Sequence, residues 1–149
     1  MLFRSVYAAS EGRVEKVADE AAAVAAYLDT YERLGARHVV VKARDNETTF
    51  GLKVSNEHVA EFCRAHGPRF VGFAGVDPHK GMAAVRELEH AVRELGLRGL
   101  NLQCFELKLA INDKRMYPLY AKCVELDIDR KSTRLNSSHM SESRMPSSA

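Results

Sequence analysis

The stretch Arg69–Leu102, RFVGFAGVDPHKGMAAVRELEHAVRELGLRGLNL, admits few folds. Phe70 to Val76 is a short, almost wholly apolar run closed by Asp77-Pro78, as expected of a parallel strand covered on both faces. From Met82 to Leu95 the apolar residues Val85, Leu88, Val92 and Leu95 recur at helical spacing. Arg86, Glu87, Glu89, Arg93 and Glu94 fill the opposite side. Gly96 predicts a left-handed cap, and Gly99–Leu102 resumes an extended apolar pattern. Strand, helix and strand in that order imply a right-handed crossover.

The flanking sequence repeats the unit. Residues 15–34 are Ala-rich and helix-forming, with Val17, Val24, Leu28, Tyr31 and Leu34 as the apolar face. Gly35 closes that helix, and His38-Val39-Val40-Val41 reads as a β-branched strand over 38–42. Residues 44–53 are polar and predict an irregular loop. Ser55 is placed to cap a helix over 56–66, with Val59, Ala60, Phe62 and Cys63 inward. After 102 comes a second irregular stretch. Pro118 then opens a last helix to Leu126, with Leu119, Tyr120, Cys123 and Val124 as candidates for burial. Strands thus begin near 38, 69 and 98, the beat of a βα unit, and the next is due near Ile128. Alternating elements predict an α/β fold with a parallel sheet, which open doubly wound sheets and closed eight-stranded barrels share. No G-x-G-x-x-G is present, so a dinucleotide fold gains little support.

The 149 residues, 46% hydrophobic, allow one domain with a real core. No apolar run approaches the roughly 20 residues of a membrane span, and no secretory leader is recognisable. Cys63, Cys104 and Cys123 have no metal-type spacing and read as reduced thiols buried as small hydrophobes, which predicts a cytoplasmic protein. The ends have another character. Residues 129–139, DRKSTRLNSSH, resemble one translated frame of a common short-read sequencing adapter, and 143–149, SRMPSSA, resemble its continuation. Leu2-Phe3-Arg4-Ser5 fits the end of the opposite adapter. The native sequence is therefore expected over 6–128, with 129–149 a non-native disordered tail. Without these ends, 22 basic and 20 acidic residues become 17 and 18, so the formal charge moves from +2 to −1. That balance gives no support to nucleic-acid binding.

From 69 to 128 the sequence closely resembles the amidohydrolase-related family, in its aminocarboxymuconate-semialdehyde-decarboxylase-like branch. The resemblance rests on the R-F-x-G-F-A-x-V-D-P strand, the A-V-R-E-L-x-x-A-V-R-E-L-G helix, the Gly99-Leu100-Asn101-Leu102 strand and Met116-Tyr117-Pro118-Leu119-Tyr120. It is specific from Asn56 to Ile128 and weaker from Val14 to Lys42. It implies a partial (β/α)₈ TIM barrel of about three consecutive βα units with parallel strands. It also implies a metal-dependent parent enzyme, a divalent ion such as zinc, and hydrolysis or non-oxidative decarboxylation of a small carboxylated substrate. The expected partners are that small-molecule substrate and further copies of the parent, with no nucleic acid and no membrane.

The family's H-x-H pair does not occur, and its later His and Asp ligands fall beyond the stretch of resemblance, so no metal ligand and no catalytic residue is expected in the fragment itself. His38, His58, His66, His79 and His90 share no metal-ligand spacing. Where many relatives carry G-x-K-L this chain has Asn101, which can be neither carbamylated nor a base. Four substrate-pocket candidates remain. Asp77 ends a strand, although capping the Asp-Pro turn would account for it, and His79 follows at the same end. Strand alternation puts Leu100 and Leu102 against the helices and turns Asn101 and Gln103 into the barrel, near the end that holds the chemistry. There the two amides would serve as orienting hydrogen-bond donors. Two other readings remain open. One is a small stand-alone α/β binding module. The other is a different enzyme class with Cys104 as nucleophile, for which no base is evident.

Overall fold

The computed structural model describes residues 20–133. The elements are α1 (Glu20–Arg33), β1 (Val39–Lys42), β2 (Arg44–Asn46), the single-turn α2 (Glu47–Phe50), β3 (Leu52–Val54) and α3 (Asn56–His66). They continue with β4 (Phe70–Gly75), a 3₁₀ turn at Pro78–Lys80, α4 (Met82–Arg93), β5 (Gly99–Gln103), α5 (Tyr117–Glu125) and β6 (Asp129–Thr133).

Four strands form one sheet in the order β1-β4-β5-β6, and every pairing is parallel. The order follows the chain without reversal, so right-handed crossovers place α3, α4 and α5 on one face. α3 packs on β1 and β4, α4 on β4, and α5 on α4 and β6. The molecule is thus an arc of a (β/α)₈ barrel: three consecutive βα units and the strand that follows.

Register sorts the side chains. Val39 pairs with Phe70, Val41 with Gly72, and Ala74 with Leu100, so these residues and Leu102 share the helix-covered face. All are buried, together with Val59, Phe62, Val85 and Leu88 from the helices. The opposite face carries Val40, Val71, Phe73, Asn101 and Gln103. Tyr27 joins α1 to this core, its ring 6.4 Å from Phe62 and 6.3 Å from Phe70.

Local signals account for the boundaries. The Ser55 hydroxyl accepts from the His58 amide at 3.2 Å and starts α3 where its sequence predicts. Gly96 takes the left-handed conformation, φ 75°, just beyond α4.

Four expectations are corrected. Residues 44–53 are not an irregular loop. β2 and β3 form an antiparallel ribbon across α2, which residues without apolar alternation can build when polar side chains hold it from outside. Leu34 and Val124 are 72% and 82% exposed rather than inward, because Leu34 falls in the turn just past α1 and Val124 on a flank of α5 that no other described element covers. Packed structure does not stop at 128. Asp129–Thr133 pairs with the whole of β5, from Gly99↔Asp129 to Gln103↔Thr133, since an edge strand needs only backbone donors and acceptors. Residues 134–149, and the N-terminal adapter-like residues 2–5, lie outside the described residues. No helix among the described residues is long and apolar enough to cross a membrane.

Candidate functional site

The C-terminal ends of β1, β4 and β5 lie side by side; the segments leaving them carry the buried polar residues Asp45, Asn46, Asp77 and Glu106, and β5 itself carries Asn101. Close approach of backbone makes this possible. A Cβ on Gly75 would collide with the Ala43 carbonyl, so glycine lets the chain leaving β1 cross the end of β4. The Asn56 side chain seals that end. Its Oδ1 accepts from the Gly75 amide at 2.9 Å, and its Nδ2 donates to the Gly75 carbonyl at 3.2 Å.

Glu106 is the centre of the first cluster. Its carboxylate, 2% exposed, accepts from Asn46 Nδ2 at 2.7 Å and Arg44 Nη1 at 3.2 Å. Gln103, oriented with its amide nitrogen toward the carboxylate, donates to Glu106 at 2.8 Å and accepts from Arg44 Nη2 at 3.0 Å. These groups and Asn101 line a cavity of about 10 Å³, on the scale of one water-sized body. Asn101 is 4% exposed, and its Oδ1 has no hydrogen-bond partner.

Asp45 centres a second cluster. Its Oδ2 pairs with Lys80 at 2.7 Å and Lys53 at 3.0 Å, while Lys80 also reaches Glu47 and Lys53 reaches Glu87. Burial alone pushes the Asp45 carboxyl up, but hydrogen bonds from Lys80, Lys53 and the Glu47 amide outweigh it and hold the group below its ordinary range. Burial works against charge on Lys53 and Lys80 too, and the carboxylates around them reverse it, raising both ammonium groups. Asp45 and Glu106 thus each accept hydrogen bonds from three neighbouring groups, the pattern of anchoring carboxylates.

The four sequence candidates separate. Asn101 and Gln103 line the cavity together, on the face opposite Leu100 and Leu102. Asp77 and His79 do not line it. Asp77 Oδ1 accepts from the His79 amide at 2.9 Å, and Oδ2 accepts from the Thr48 amide at 3.3 Å, so this carboxylate ties turn to ribbon. His79 Nε2 lies 2.8 Å from the Leu107 carbonyl, and Nδ1 lies 3.1 Å from Arg115 Nη1. A carbonyl only accepts and a guanidinium only donates, so the proton sits on Nε2. Both ring nitrogens are engaged in holding the β5–α5 loop. His38, His58, His66 and His90 are exposed and scattered. Cys104 and Cys123 are buried and Cys63 half-buried; burial raises Cys63 and moves Cys123 to about 11, away from thiolate chemistry.

Sequence reasoning missed Glu106, Arg44, Asp45, Asn46 and Lys80. Their signal was position: each lies within a few residues of the C-terminal end of a parallel strand, where barrel loops gather their chemistry. Among the described residues no group of three or more His, Cys, Asp or Glu side chains could hold a metal ion. The described residues do not supply the ligand set that the resemblance implies, and no step is routed through an ion.

An amidohydrolase family model matches residues 10–129. The chain belongs to the amidohydrolase family. A crystal structure of a Staphylococcus aureus protein provisionally assigned as an amidohydrolase is similar at 22% identity and a TM-score of 0.48. The match covers 61% of this chain and 32% of that one, so the chain spans about a third of that protein's length.

Proposed function

We propose that this amidohydrolase-family chain forms one wall of a substrate pocket whose remaining walls and metal ligands lie in other parts of a longer parent. That parent hydrolyses, or decarboxylates without oxidation, a small carboxylated substrate in the cytoplasm. A divalent ion, zinc by expectation, supplies Lewis acidity there when bound. The single observation behind this reading is the Glu106-centred cluster. Parallel strands deliver Arg44, Asn46, Asn101, Gln103 and Glu106 to one end, where a stand-alone core would place apolar residues. The membership in the aminocarboxymuconate-semialdehyde-decarboxylase-like branch, the oligomeric parent and the adapter origin of 129–149 belong to the same proposal. The β5–β6 pairing favours neither origin for the tail, because backbone pairing is open to most sequences.

In this reading the chain's own residues bind and orient and leave proton transfer to groups elsewhere. Arg44 and Gln103 hold Glu106 rigid, and the Asp45–Lys80 pair fixes the ribbon over the strand ends. The test is an assay of the purified chain, with and without zinc, against small aryl carboxylates, lactones and amides. A longer protein containing this sequence is assayed in parallel. Turnover by the longer protein and none by the chain is expected. Tight one-to-one ligand binding with no turnover in either form would favour a stand-alone binding module instead.

A further inference from the structure

The polar side chains beside Asn101 are paired with one another. Arg44 Nη1 and Asn46 Nδ2 go to Glu106. The Gln103 nitrogen goes to the same carboxylate, and Arg44 Nη2 to the Gln103 oxygen. Lys53 and Lys80 are bound by Asp45. What remains open is an acceptor, Asn101 Oδ1, the one buried side-chain polar atom without a partner among the described residues. It belongs to a residue lining a cavity of about 10 Å³, with the Glu106 carboxylate as a neighbour. Buried acceptors are rarely left unpaired, and an apolar occupant would not relieve this one.

We propose that this cavity is a subsite for a single donor group of the ligand, a hydroxyl or an amine N–H, accepted by Asn101 Oδ1. It rejects carboxylates, because a second carboxylate would face those of Glu106 and Asp45 across the same small cavity. The subsite reverses the role expected of the amides from sequence. Gln103 has its nitrogen occupied, and Asn101 acts as acceptor. Resting on the pocket-wall reading, it refines the substrate class: the carboxyl group of a small acid binds elsewhere, and a hydroxyl or amino substituent enters here.

The probe is the ammonium ion, a water-sized donor. The full ¹⁵N-labelled chain is titrated with ammonium chloride at constant ionic strength, against sodium formate as the acceptor control. Saturable shifts of the Asn101 side-chain amide and the Gly75 and Leu102 amides are expected with ammonium, and none with formate. Asn101→Leu should abolish them. The isosteric Asn101→Asp, which offers a charged acceptor, should tighten ammonium several-fold and keeps the test decisive if the leucine variant does not fold. A linear, unsaturated drift, equal response to formate, or unchanged binding by Asn101→Leu would overturn the proposal. None of these readouts needs turnover, so the subsite can fail while the pocket-wall reading stands.

Discussion

Asn56 shows how one side chain can terminate a strand. Its amide pairs with both backbone groups of Gly75 as a further strand residue would, in a fully buried position. Asn56→Ala would leave two buried backbone groups unpaired, and a loss of about 2–3 kcal/mol is expected in urea unfolding. Asn56→Asp keeps the acceptor but sets a carboxylate oxygen against the Gly75 carbonyl and the Glu87 carboxylate, so it should lose at least as much; a near-neutral Asn56→Asp would refute the pairing argument. Gly75 is constrained differently. A methyl there meets the Ala43 carbonyl, which is backbone and cannot rotate away. Gly75→Ala should cost about 3 kcal/mol and shift the amide resonances of Arg44–Asn46. A neutral substitution would mean that the crossing is looser than described.

The β2–β3 ribbon is held by charge where other elements are held by apolar burial. α2 has no buried residue, and Leu52 and Lys53 of β3 are exposed. The attachment is therefore pH-dependent with a definite sign. A carboxyl whose folded pKa is depressed contributes stability above its unfolded value, about 4, and loses it as pH falls through the folded value. Asp45 is such a group. Lys53 and Lys80 are raised, so their contribution is complete below about 10.4 and is lost as pH rises through their folded values. The clamp holds from about pH 5 to 10. The melting temperature should fall more steeply between pH 5 and 2 in the native chain than in Asp45→Asn. Parallel curves for the two proteins would sink this account.

At the scale of the whole molecule, the sheet is open at β1 and β6 among the described residues. A groove beside β6 is lined by Ile111, Tyr117, Tyr120, Val124 and Ile128, and Val124 is among its exposed members. Open edges next to exposed apolar surface favour association. Sedimentation should show concentration-dependent self-association of the chain. Val124→Lys should reduce it while leaving the melting temperature within about 0.5 kcal/mol of equivalent stability. A sharply melting monomer at all concentrations would argue for a self-sufficient module.

What the sequence by itself determined was whatever repeats or is capped locally. The apolar run at Phe70, the 3.6-residue spacing of Val85, Leu88 and Val92, and the Ser55 and Gly96 caps suffice for the α/β order and most boundaries, because these effects act within a few residues. The alternation at Leu100–Gln103 even assigned the faces of β5 correctly. Tertiary structure alone decided the site. Arg44 and Glu106 are 62 residues apart, Asp45 and Lys80 are 35, and no spacing links them. They meet because the parallel strands send their C-terminal ends to the same edge of the sheet and Gly75 lets β1's continuation cross over. The exposure of Leu34 and Val124 was illegible for the same reason. A helix's pattern says which residues prefer burial, but only the neighbours that reach it decide which of them are covered.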